Sequence, residues 1–171
     1  LSKTKLDKYL YLLDIEHFKL YNKTLTGFTW IYYKYGPWTN EFESCFAKMV
    51  AKKSIEVKVT GENSDVYLVT TDTMISLDMF LKDAVFRIKA KSILSRYAKE
   101  KLSAILDHVY FYTEPMDGAA KMQKLDFSKI SPNTADDFII TKNSTINKKK
   151  LIKIKSDIQS KAEALPNKIP A

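Results

Sequence analysis

This chain has little of several things, and each shortage excludes something. Cys45 is the only cysteine in 171 residues, so no intramolecular disulfide can form. That suits a reducing compartment, and the sequence reading places the protein in the cytoplasm. Four glycines and five prolines are too few for a Gly/Pro-rich disordered chain. No apolar run approaches the roughly 20 residues of a membrane-spanning helix. Arginine is limited to Arg87 and Arg96, although lysine and arginine together number 28. Arginine is the usual residue for bidentate recognition of bases and phosphates, so its scarcity argues against sequence-specific DNA readout.

What is present is apolar and basic. Hydrophobic residues make up 45% and aromatics 12%, ample for one well-filled core. The formal net charge is +8. Such a balance fits a nucleic acid, an anionic surface or an acidic protein partner, and equally an ordinary lysine-rich surface.

Periodicity predicts the elements. Leu6, Tyr9, Leu10, Leu13 and His17 recur at helical spacing, and Thr4 with Asp7 forms a weak capping box. That helix should end near Tyr21. Phe28 to Lys34 reads as a strand bulky on both faces, and so covered on both sides, that Gly36-Pro37 terminates. Thr39 is a good N-cap, with Glu41 and Glu43 complementing the helix dipole. Phe42, Phe46, Met49 and Val50 should line the buried stripe of this second helix, with Cys45 as a small buried side chain beside it.

Ile55 to Val59 and Val66 to Thr71 read as a β-hairpin around Gly61–Asp65. Ser76 or Asp78 should open a long helical region with Phe80, Leu81, Ala84, Val85 and Ile88 inward. Leu102, Ile105, Leu106 and Val109 make a later stripe, and Pro115 bars its extension. Beyond Pro132 the chain turns polar. Thr134 to Asn147 reads as a loop, and Lys148 to Leu165 as a basic segment with helical spacing. The expected organisation is a mostly helical α+β domain over 1–130, with an aromatic strand, a small hairpin and a winged-helix flavour, followed by a basic extension over 131–171.

No residue pattern announces chemistry. His17 and His108 each lie beside carboxylates, but the spacing fits no zinc pattern, so both are assigned structural roles. His17 should hydrogen bond to the adjoining loop. The serines make no nucleophile elbow and the glycines no phosphate loop. The expectation is a non-enzymatic protein without metal or cofactor. Trp38 follows Gly36-Pro37 and precedes a helix cap, so it can project at a surface corner as an interaction anchor. Tyr35 and Met116 lie at element ends and join it as candidate partner-binding residues. Lys148, Lys149, Lys150, Lys153 and Lys155 form the densest positive cluster, a candidate phosphate-contacting surface.

The stretch LDKYLYLLDIEHFKLYNKTLTGFTWIYYKYGPWTNEF resembles the Panacea domain, the SocA-like antitoxin family. The likeness rests on the Tyr-Leu-x-x-Asp-x-Glu-His helix, the Leu25-Thr26-Gly27 turn and the aromatic strand ending in Tyr35-Gly36-Pro37. The segment LSAILDHVYFYTEPMDGAAKMQKLDF extends it, so that it covers roughly residues 3–130. The resemblance implies a compact α+β fold and a non-catalytic bacterial or phage protein that neutralises a partner toxin, by direct complex formation or by delivery to a protease. The chain departs from the family pattern at Thr113-Glu114-Pro115-Met116, where a Glu-Leu-Ser and Thr-His segment is usual. A nucleic-acid-binding regulator using its basic surface is the alternative reading.

Overall fold

The computed structural model describes residues 1–60, 66–71 and 76–132. Helix α1 spans Lys3–Tyr21. Ser2 caps it, its hydroxyl accepting from the Lys5 amide at 3.2 Å, in place of the expected Thr4 and Asp7. The helix stops where Asn22 turns left-handed (φ 53°) and returns its N–H to the Phe18 carbonyl. The buried set on α1 is not the single stripe that the sequence suggests. Tyr9, Tyr11, Leu12 and Ile15 enter the core, and so do the polar Lys5, Asp7, Lys8 and Asp14. Leu13 and His17 are only half-buried. The one-stripe rule describes a helix lying on a surface. This helix is covered from several directions.

The first cover is an aromatic ribbon. Strand β1, Ile31–Tyr33, pairs antiparallel with β2, Gly36–Trp38, across the turn at Lys34 and Tyr35. Gly36-Pro37 therefore begins a return strand and does not end the sheet. The ladder explains how proline is accommodated. Tyr32, opposite Pro37, donates its N–H to the Gln123 carbonyl and accepts from the Met122 amide on the far side. It asks nothing of Pro37, which lies in the outer strand where a missing donor is harmless. One face of the ribbon is fully covered and the other only in part, where Ile31 and its partner Trp38 are half-buried. Trp30 is buried with Phe28 and Tyr32 leaning on the core, while Thr29 and Tyr33 face solvent.

Helix α2, Asn40–Ala51, starts at the expected Thr39 cap, with Glu41 and Glu43 in its first turn. Phe42 and Phe46 pack with Ile55 in a small second cluster. Met49, Val50 and Cys45 are exposed, contrary to expectation. Among the described residues, the line through Phe42 and Phe46 is the part of α2 that packs into an apolar cluster, and the last turn runs past it. Strands β3, Glu56–Thr60, and β4, Val66–Thr70, form the expected antiparallel hairpin. Its connecting turn lies outside the described residues.

The expected long helix after Ser76 is two helices. Ser76 caps the short α3, Leu77–Phe80, and Leu81 is extended. Asp83 then caps α4, Ala84–Tyr97, accepting from the Phe86 amide at 2.6 Å. Restarting at Asp83 resets the helical phase. Phe86, Ala90 and Tyr97 therefore face inward, and Phe80, Ala84, Val85 and Ile88 are exposed. Helix α5, Leu102–Tyr112, buries Ile105 and Val109 as read from its stripe, and stops before Pro115. Short 3₁₀ turns follow at Glu114–Met116 and Phe127–Lys129. The fold is α+β: among the described residues, five helices with two separate two-stranded antiparallel sheets.

Candidate partner-binding groove

A groove of about 260 Å³ opens where α1, the ribbon and α2 all begin or end. Its walls include Lys3, Asp7, Tyr35, Trp38, Phe42 and Glu43. The ribbon turn carries Tyr35 into solvent, 56% exposed. Trp38 ends β2 half-buried, its ring 5.4 Å from that of Tyr33. Its indole N–H donates to Glu43 Oε1 at 3.3 Å. Glu43 also pairs with Lys3, whose ammonium stands 4.9 Å from the Phe46 ring. The ring faces and the charged groups are thus held in place by one another, which lowers the entropy lost when a partner binds.

The inner wall is electrostatically unusual. Lys8 is buried, and its ammonium donates to Asp7 Oδ2 at 2.8 Å and to the Pro37 carbonyl. Asp7 is 4% exposed, and its Oδ1 has no hydrogen-bond partner among the described residues. Burial pushes the Asp7 carboxyl up to about 6; Lys8 opposes the shift and Glu43 adds to it. A buried acceptor left without a donor costs about 1–3 kcal/mol, so the fold carries a polar group here that its own packing does not use.

Sequence reading placed Tyr35 and Trp38 in this corner, and the structure brings them to one groove. Met116 is elsewhere: it is 6% exposed and belongs to the main core, so it offers no surface to a partner. The lysines at 148, 149, 150, 153 and 155 lie outside the described residues. The sequence suggests only a capping role for Asp7 and none for Lys8, because neighbouring residues on a helix ordinarily point apart and a buried pair leaves no local signature.

The histidines are structural in their surroundings. His17 Nδ1 meets the Lys23 carbonyl at 2.6 Å, the expected bond to the adjoining loop, and its ring packs on Phe86 and Tyr21. His108 sits against Tyr97 and Tyr112. Burial holds its imidazole below the ordinary value, and Arg96 and Lys19 push the same way. Among the described residues no group of three His, Cys, Asp or Glu side chains is placed to hold a metal ion. No described helix is long and apolar enough to cross a membrane.

With this geometry in place, the comparison with protein families is specific. The family described as antitoxin SocA-like, Panacea domain, matches residues 6–157. The chain belongs to the Panacea-domain, SocA-like antitoxin family. The match covers α1 from Leu6 onward, the ribbon and everything through α5, so the groove lies within it except for Ser2, Lys3 and Thr4. It also runs past residue 130, where the sequence likeness was placed to end, and takes in much of the basic segment. No curated protein and no solved structure shows a significant match to the chain.

Proposed function

We propose that this protein is a non-catalytic interaction protein that binds and neutralises a cognate toxin protein through the groove at Tyr35 and Trp38. The observation that carries the reading is membership of an antitoxin family over residues 6–157. The groove supplies a physically suitable contact. It joins a half-buried tryptophan and an exposed tyrosine, the residue types that dominate binding hot spots, to charged groups already held in position. A bacterial or phage toxin–antitoxin pair acting in the cytoplasm belongs to the same proposal. Delivery to a protease and binding of nucleic acid find no specific support in the described residues.

The test is co-expression with a candidate toxin, chosen as a protein from the native host that is toxic when expressed alone. The unaltered protein should restore growth and co-purify with the toxin in fixed ratio. Replacing Tyr35 and Trp38 together by alanine should abolish both effects while the protein stays folded. Full rescue by that variant would remove the groove from the interface, and failure of the unaltered chain to rescue would reject the antitoxin reading itself.

A further inference from the structure

Asp7 is the wall residue of the groove to which the toxin reading gives no role. It lines the inner wall and is 4% exposed. Lys8 reaches Oδ2 at 2.8 Å and commits a second N–H to the Pro37 carbonyl. Oδ1 has no hydrogen-bond partner among the described residues. The other buried carboxylate of α1 shows what the fold supplies where it needs a structural tie: Asp14 accepts from the Thr26 amide, the Thr26 hydroxyl and the Trp30 indole. Asp7 has nothing comparable, although a buried carboxylate is the group that needs it most.

The surroundings say what kind of group would complete it. Burial pushes the Asp7 carboxyl up to about 6 against the pull of Lys8; Glu43 on α2 adds to the rise, and Lys3 subtracts from it. The ribbon brings the Tyr35 phenol and the Trp38 indole to the same groove. A partner closing over the groove removes Asp7 still further from water. An apolar surface would deepen that cost, and a carboxylate would add repulsion to it. A cationic N–H donor relieves both the missing hydrogen bond and the charge. The neighbouring aromatic rings favour the same choice, because their faces attract a cation. Oδ1 is closed off from solvent, so the incoming donor must part the rim. Tyr35, exposed at the ribbon turn, is the side chain placed to yield.

We infer that the groove receives a basic side chain of the partner, an arginine guanidinium or a lysine ammonium, which donates to Asp7 Oδ1 beside Tyr35 and Trp38. The inference rests on the proposed function for the partner's being a toxin protein. Capture of the cation is a property of the groove itself and is measurable without the toxin.

The test is an NMR titration of the full chain with methylguanidinium, methylammonium and tetramethylammonium chlorides at matched ionic strength. The first two should give saturable shifts at the Asp7 amide and the Trp38 indole N–H; tetramethylammonium, a cation without N–H donors, should not. Tighter binding of methylguanidinium points to arginine, and of methylammonium to lysine. Affinity should rise roughly tenfold between pH 5 and pH 7, because the cation selects the ionised carboxylate and the Asp7 proton must leave first. Asp7→Asn should weaken binding at pH 7 roughly tenfold and flatten this profile, while Asp117→Asn at an exposed position elsewhere should change neither. If Asp7→Asn does not fold, the pH profile of the unaltered protein decides. Absence of saturable shifts, equal binding of tetramethylammonium, a flat pH profile or equal weakening by Asp117→Asn would overturn the inference. Any of these with growth rescue intact would leave the toxin reading standing; cation capture without rescue would reject that reading and keep the site.

Discussion

Asp14 and Asp7 lie about two turns apart on α1, and both carboxylates are buried, yet their surroundings differ in kind. Asp14 accepts from the Thr26 amide at 2.8 Å, the Thr26 hydroxyl at 2.5 Å and the Trp30 indole at 2.7 Å. It ties α1 to the loop and to the aromatic strand at one point. Next to it, Tyr11 donates to Thr113, whose hydroxyl is committed to the Val109 carbonyl. This end of the helix is a closed network. Around Asp7, one oxygen meets Lys8 and the other has no hydrogen-bond partner among the described residues, beside a groove whose walls include the exposed Tyr35 and the half-buried Trp38. A fully satisfied buried carboxylate is what a fold uses to fix its own geometry. A partly satisfied one, at the edge of a groove, is where structural economy gives way to an external contact.

Experiments can break or sharpen this contrast. The largest effect belongs to Asp14. Asp14→Ala removes three acceptor contacts and strands the Trp30 and Thr26 donors in the interior, so it should cost roughly 3–5 kcal/mol in urea unfolding. A loss below about 1 kcal/mol, the size of a single ordinary hydrogen bond, would show that the network is not a structural tie.

Asp7 comes next, and its signature is a pH dependence. Its folded-state value, near 6, lies above the ordinary 3.8, so the folded protein holds this proton more tightly than the unfolded chain. The resulting stabilisation is fully present below about pH 4 and is lost as pH rises through 6. At 1.36 kcal/mol per pKa unit the span is up to about 3 kcal/mol. Lys8, Lys3 and Glu43 are the charged groups acting on it. Denaturant titrations from pH 4 to 7 should show this fall superimposed on the contribution of other groups, and Asp7→Asn should remove it. An unchanged difference between the two proteins across that range would place Asp7 in a solvated site.

Trp38→Ala should cost a moderate amount of stability, roughly 2 kcal/mol, because much of its ring is shielded from solvent although its single hydrogen bond is long. A thermal melt that collapses would move Trp38 from the groove into the core. The smallest change should come from Ile88→Ser on the outer face of α4. Ile88 is 69% exposed, so unfolding free energy should move by no more than about 0.5 kcal/mol.

Much of this was legible in the sequence, where local chemistry decides the outcome. Thr39 with Glu41 and Glu43 marked the start of α2, Ile55 and Val57 alternated into the hairpin, Ile105 and Val109 marked the buried side of α5, and His17 reached its loop as expected. The misses came where tertiary position overrides pattern. A helix buried on several sides has no single stripe, so Tyr11 and Asp14 were overlooked. Pro37 was read as a terminator because the far-side partners of β1, around Met122 and Gln123, are some ninety residues away in the chain. The phase of α4 was misread because Asp83 restarts the helix after Leu81. Met116 stands at an element end after Pro115, but the 3₁₀ turn folds it inward. Of the residues lining the groove, Tyr35 and Trp38 are legible in the sequence as element ends; Asp7 and Lys8 acquire their character only from burial.

The most direct test of the account is the affinity of the purified cognate toxin for the unaltered protein and for Trp38→Ala, measured alongside their melting temperatures. The account predicts at least a roughly tenfold loss of affinity, the scale of a hot-spot truncation, with a modestly lowered melting temperature and a still cooperative melt. Equal affinities for two equally folded proteins would contradict it and move the interface away from the groove.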